Sequence, residues 1–160
     1  MAASSSATPQ PGGPLGEEVN KLREFIALLK REQELLTRGD TDALLPLIES
    51  KTNLANALGA LAQARENHLS RQGLPGSRAG MESWLASHGS PGMRQAWDTL
   101  LELAAEARSL NITNGKLIGL HMQHNQQAFA ALMSATDRAM TYGPDGQQQA
   151  GLGGRILGKA

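Results

Sequence analysis

The chain has 160 residues with 3% aromatic side chains, so an aromatic-rich core is excluded and leucine and alanine must fill the interior. Fifteen basic residues balance fifteen acidic ones, which removes any general pull on phosphates; neither nucleic acid nor an anionic membrane is expected as a partner. Cysteine is absent, which excludes disulfides, thiolate metal sites and cysteine nucleophiles and suits a reducing cytoplasm.

Val19 is the sole valine, and scarce β-branched residues argue against a sheet. Packed helices are the expected class. The N-terminus lacks a positive start and an apolar stretch, so it does not read as a secretory signal. No apolar run approaches the ~20 residues that span a bilayer, and no membrane insertion is expected.

Residues 1–14 are Ser, Pro, Gly and other small residues, a composition that predicts a disordered tail. From Leu15 a helical period begins. Leu22, Phe25, Ile26, Leu29 and Leu36 recur at three- and four-residue steps, and Gly39 is placed to end the helix. Asp40 or Thr41 then caps a second helix, expected from Thr41 to Gln72, with Leu44, Leu47, Ile48, Leu54, Leu58 and Leu61 as its stripe. Pro46 either kinks this helix or marks its true first turn. With a glycine turn between them, the two helices should form an antiparallel hairpin.

Residues 73–80 predict a break, followed by a short helix over 80–88 with Met81, Trp84 and Leu85 on one face. Ser90-Pro91 is a helix start: a hydroxyl cap and a proline at the first position. A long period then runs to Tyr142. Its seam reads Trp97, Leu100, Ala104, Ala107, Asn111, Asn114, Ile118, His121, Asn125, Ala128, Leu132, Ala135, Ala139, the alternating three-four step of a coiled coil. Asn114-Gly115 is also a turn signal, but the seam keeps phase across it and favours one helix. The expected architecture is all-α: a hairpin, a short helix and a long third helix over residues 15–142, then a flexible tail over 143–160.

Chemistry is scarce. Gly153 to Lys159 has phosphate-loop spacing, but Ala160 replaces the metal-binding hydroxyl, no strand precedes it, and no helix follows. His121 and His124 sit one turn apart without a third local ligand, so no metal or other cofactor is expected. His68 and His88 read as isolated surface residues. Asn111-Ile112-Thr113 matches a glycosylation acceptor by chance inside a helix. Glu17, Glu18, Glu32 and Glu34 read as solvated, no nucleophile–base pair is found, and an enzyme is not expected.

What remains are surfaces. Met122, Phe129, Met133 and Met140 recur at roughly helical spacing, and flexible, polarisable methionine suits a face that receives partners. They could instead pack against the hairpin. Length argues otherwise: a third helix of about 75 Å outruns a hairpin of about 48 Å by roughly five turns. Asn111, Asn114 and Asn125 are expected to set register against Lys51 and Arg65, which fall on the seam phase of helix two.

The order of these features resembles a known family. Arg38-Gly39-Asp40 at the turn, Lys51 with Leu54 and Leu58, Trp84-Leu85 and Trp97 come first. Asn111, Asn114-Gly115, Leu117-Ile118, Asn125-Gln126-Gln127-Ala128 and Tyr142-Gly143-Pro144-Asp145-Gly146-Gln147 follow. The pattern is similar to that of FlgN, the flagellar type III export chaperone. The resemblance implies a cytoplasmic chaperone, without cofactor, for the two hook–filament junction (hook-associated) proteins. It implies a client site for their C-terminal amphipathic helix on α-helical residues from about Asn125 to Met140, and with Met122 of the methionine stripe the expected client residues are Met122, Asn125, Gln126, Phe129, Leu132, Met133, Thr136 and Met140. It further implies docking on the cytoplasmic domain of the export gate through Tyr142, Gly143, Asp145 and Gly146, with the export ATPase complex as a further partner. Phe129 stands where the family usually has Leu, and Pro144 fills a variable turn position. The alternative is a structural coiled-coil subunit that self-associates through the same seam.

Overall fold

A computed structural model describes residues 13–141, and all regular structure among them is helical. The elements are α1 (Gly13–Arg38), α2 (Leu44–Arg71), α3 (Arg78–His88) and α4 (Pro91–Thr141). The chain divides into two compact units, one ending at Ile118 and one beginning at Gly119. The expected terminal tails fall almost wholly outside the described residues. At the N-terminal boundary, Gly13 and Pro14 already belong to α1.

Helix ends follow local chemistry. Gly39 adopts φ +72°, its N–H donates to the Leu36 carbonyl, and the Asp40 N–H donates to the Leu35 carbonyl. These two bonds make a Schellman cap, and the left-handed residue in it is one that glycine occupies without a Cβ clash. Gly73, at φ +73°, ends α2 in the same way, with Leu74 folding back onto the core. Asp40 Oδ1 accepts from the Ala43 N–H at 3.2 Å, so the capping aspartate orders the turn just ahead of α2. α2 therefore starts at Leu44, and Pro46 lies in its first turn, where no backbone donor is lost. Ser77 Oγ caps α3 by accepting from Gly80 N, and Ser90 Oγ caps α4 by accepting from Met93 N. α4 is one helix of 51 residues that passes through Gly115 without a break.

The core lies in the first unit. Leu15, Val19, Leu22, Ile26 and Leu29 of α1 meet Leu69, Met81, Leu85, Trp97, Leu100 and Ala107. Of the α1 stripe predicted from the sequence, Leu22, Ile26 and Leu29 lie in this cluster, Phe25 is at its margin and Leu36 is buried outside it; Leu15 and Val19 extend the stripe toward the N-terminus. α2 differs from expectation: among its leucines only Leu69 is fully buried, the predicted stripe is half-buried, and Leu45 and Ile48 are exposed. The reason is that Lys51 and Arg65 occupy the inward positions, so the leucines flank them.

Two polar layers fix how α1, α2 and α4 register. In the first, Arg65 forms a two-pronged pair with Glu18, both bonds at 3.1 Å, and its guanidinium lies 5.2 Å over the Trp97 ring. In the second, Lys51 Nζ donates to Glu32 at 3.1 and 3.2 Å and to Asn111 Oδ1 at 3.2 Å. Asn114, 1% exposed, donates from Nδ2 to Glu32 Oε2 at 2.7 Å and to the Leu29 carbonyl at 2.9 Å. Glu18 and Glu32 are thus buried partners, not the solvated carboxylates that their sequence context suggests. From layer to layer each helix advances by 14 residues: Glu18 to Glu32, Lys51 to Arg65, Trp97 to Asn111. That is two heptads, about 21 Å of helix. The pairing runs antiparallel between α1 and α2, as the short turn requires.

α3 is tied to α4 by Glu82, whose carboxylate accepts from the Trp97 indole N–H at 2.8 Å and from Arg94. The indole bond first, then the guanidinium, hold the Glu82 carboxyl below its ordinary value of 4.5. A depressed folded value means that this contribution to stability is present above the unfolded value and lost as pH falls through the folded one. Thermal midpoints of the wild type should therefore exceed those of Glu82→Gln at neutral pH, with the gap closing below pH 4.5. Parallel midpoint-versus-pH curves would contradict the assignment.

Candidate functional site

The second unit carries the expected client face. α4 runs through it without interruption to Thr141, and from Met122 to Ala128 every side chain is exposed. Met122, at 58% exposure, is a large apolar side chain held in solvent, and Asn125 and Gln126 flank it. Leu120 is 53% exposed as well. Leu120 and Met122 are thus large apolar side chains held in solvent on a stretch whose next exposed residues, Gln123 to Gln127, are polar.

The backbone places the expected site residues by heptads. Met122, Phe129 and Thr136 are seven apart; so are Asn125 and Leu132, and Gln126, Met133 and Met140. These three rows lie side by side along one helix, which is the pattern of a coiled-coil seam. The side chains of Phe129, Leu132, Met133, Thr136 and Met140 lie outside the described residues, as do Tyr142, Gly143, Asp145 and Gly146 entirely.

The polar seam is divided. Asn111 and Asn114 bond to Lys51, Glu32 and the α1 backbone, as a register-setting role demands. Asn125 is exposed and takes no part in that layer. Arg65 pairs with Glu18 in place of an asparagine, because a carboxylate matches both prongs of a guanidinium. Sequence reasoning missed this. The available signal was the matching 14-residue spacing of Glu18 with Glu32 and of Lys51 with Arg65.

His68 and His88 are not isolated. Their rings flank Trp84, His68 edge-on at 5.3 Å and His88 stacked at 5.8 Å. Among the described residues no cluster of three or more His, Asp or Glu side chains could hold a metal, and no helix is long and apolar enough to cross a membrane.

The chain matches the family model "FlgN protein" over residues 13–150. It is 31% identical to "Flagella synthesis protein FlgN" of Yersinia enterocolitica over 150 residues, 90% of this chain and 93% of the relative. It is 30% identical to the protein of the same name from Proteus mirabilis over 134 residues, 82% of this chain and 85% of the relative. No solved structure matches the chain at a significant level. The family match spans all four helices, from the start of α1 through the end of α4, and on that basis the chain belongs to the FlgN family.

Proposed function

We propose that this chain is a flagellar export chaperone of the cytoplasm. It binds the C-terminal amphipathic helix of hook–filament junction proteins, keeps them from assembling early, and delivers them to the export gate. Membership of the FlgN family and the flagellar synthesis names of its relatives support the setting. The observation that carries the mechanism is the exposed stretch of α4 from Met122 to Ala128, whose heptad spacing the sequence continues to Met140.

A client helix laid along that surface buries its i, i+3, i+4 and i+7 anchors against Met122, Phe129, Leu132 and Met133. Each anchor contributes about 1.5–3 kcal/mol. After the cost of association, a few anchors give micromolar binding, tight enough to protect a client and loose enough to release it. Thr136 and Met140 extend the face toward Thr141, and Asn125 and Gln126 supply its polar edge. Nothing in this cycle requires catalysis.

Delivery is assigned to the segment just beyond α4. Tyr142, Gly143, Asp145 and Gly146 are proposed to dock on the cytoplasmic domain of the export gate. Tyr142→Ala should leave the dissociation constant for a junction protein within about twofold while weakening gate binding at least tenfold, both by titration calorimetry. Equal loss of both affinities would refute the division of labour. No binding of junction protein by the wild-type chain would remove the chaperone reading itself. Sedimentation in the same samples tests self-association: a stable dimer blocked by polar residues at Phe129 and Met133 would favour a structural subunit.

A further inference from the structure

A second surface, in the first unit and separate from the α4 face, has the chemistry of a docking site. The start of α1, the end of α2, α3 and the start of α4 enclose a cleft of about 390 Å³. Its floor is apolar: Leu61, Met81, Trp84 and Met93. That volume takes one Leu or Phe side chain, and two flexible thioethers let the walls adjust to either.

The rim is basic. His68 and Arg71 line the cleft from the last turn of α2, and both are exposed. Arg71 uses only Nε, on the Asn67 carbonyl at 3.3 Å, and its terminal nitrogens are free to meet an anion. The carboxylate that lines the cleft, Glu18, is already paired with Arg65. The cleft therefore has an apolar floor, uncommitted positive charge at the mouth and no uncommitted negative charge.

We propose that this cleft binds an acidic–apolar peptide segment of a partner protein. One bulky apolar side chain enters between Trp84 and the two methionines, and a neighbouring carboxylate meets Arg71 and His68. A free phosphate or a nucleic acid backbone would use the rim but not the floor, and the neutral chain offers no wider basic field to hold one. The N-terminal residues 1–12 contain no Asp or Glu, so they lack the carboxylate that the rim selects.

The two tryptophans provide the test, because Trp84 lines the cleft and the Trp97 indole N–H is bonded to Glu82. The probe is a blocked peptide, acetyl-Glu-Leu-Leu-Glu-Glu-Leu-Leu-amide, titrated into the full ¹⁵N-labelled chain. Indole N–H resonances are followed and assigned with Trp84→Phe. The Trp84 resonance should shift saturably while that of Trp97 stays in place. Peptides with Gln for Glu, or Ser for Leu, should bind at least about tenfold more weakly. Arg71→Glu, an exposed substitution that spares the core, should weaken the acidic peptide by a similar factor and restore binding to a peptide with Lys for Glu. An unmoved Trp84 resonance would overturn the proposal. So would equal shifts from all the peptides or from inorganic phosphate alone, or binding that Arg71→Glu leaves unchanged.

Discussion

Arg65→Met is expected to lower the unfolding free energy by about 3–5 kcal/mol, the loss that follows when one partner of a buried pair is removed. The cause is the carboxylate left behind. Glu18 is 6% exposed, and without Arg65 it has neither charge partner nor water enough to solvate it. The cation–π contact over Trp97 is lost as well, worth about 0.5–1 kcal/mol more where water has access. Because the Arg65 side chain keeps 20% exposure, water reaches part of the site and the lower end of the range is expected. The companion double substitution Glu18→Leu with Arg65→Met should recover most of the loss, since an apolar pair of similar volume needs no charge compensation. Urea unfolding of wild type, both single variants and the double completes the cycle. A double variant no better than the sum of its singles would mean that the layer contributes packing, not charge pairing.

The second large effect concerns binding. Replacing Phe129 and Leu132 with Asp should abolish junction-protein binding, a loss of at least about a hundredfold in affinity when two anchors of 1.5–3 kcal/mol each are removed. Helical content by circular dichroism should stay close to wild type. Both positions lie beyond Gly119, and the core side chains of the first unit all precede that point. A double variant that still binds places the groove elsewhere; one that unfolds with the core gives these residues a structural role. Conservative changes such as Phe129→Leu, one bulky apolar side chain for another, should keep binding and shift only the preference between clients.

Much of the architecture is legible because helices announce themselves locally. Gly39 and Gly73 stop α1 and α2 where a left-handed residue is needed, and Ser90-Pro91 starts α4 at the predicted position. The seam is buried at Trp97, Leu100, Ala107 and Asn114 but exposed at Ala104, Asn111 and Ile118, so its period predicts only part of the packed face; its persistence across Gly115 matches the single α4. What the periodicity hides is pairing. Glu18 and Glu32 look like surface carboxylates on α1 alone. Their burial depends on which residues α2 and α4 bring opposite, and that is set by tertiary register. The same holds for His68 and His88, 20 residues apart in sequence and joined by Trp84. For the candidate site, Met122, Asn125 and Gln126 are exposed on the continuous α4, and the sequence signal for that continuity is the helical period that runs past Gly115. Roles beyond that, at Phe129 through Met140 and at Tyr142, rest on the family motifs.

Hydrogen exchange of the full chain, alone and saturated with the C-terminal segment of a junction protein, tests the central claim most directly. A client seated on α4 should slow exchange across residues 122–140 while α1 and α2 keep their free-state protection. Protection gained on α1 and α2, with residues 122–140 exchanging as in the free chain, would contradict it.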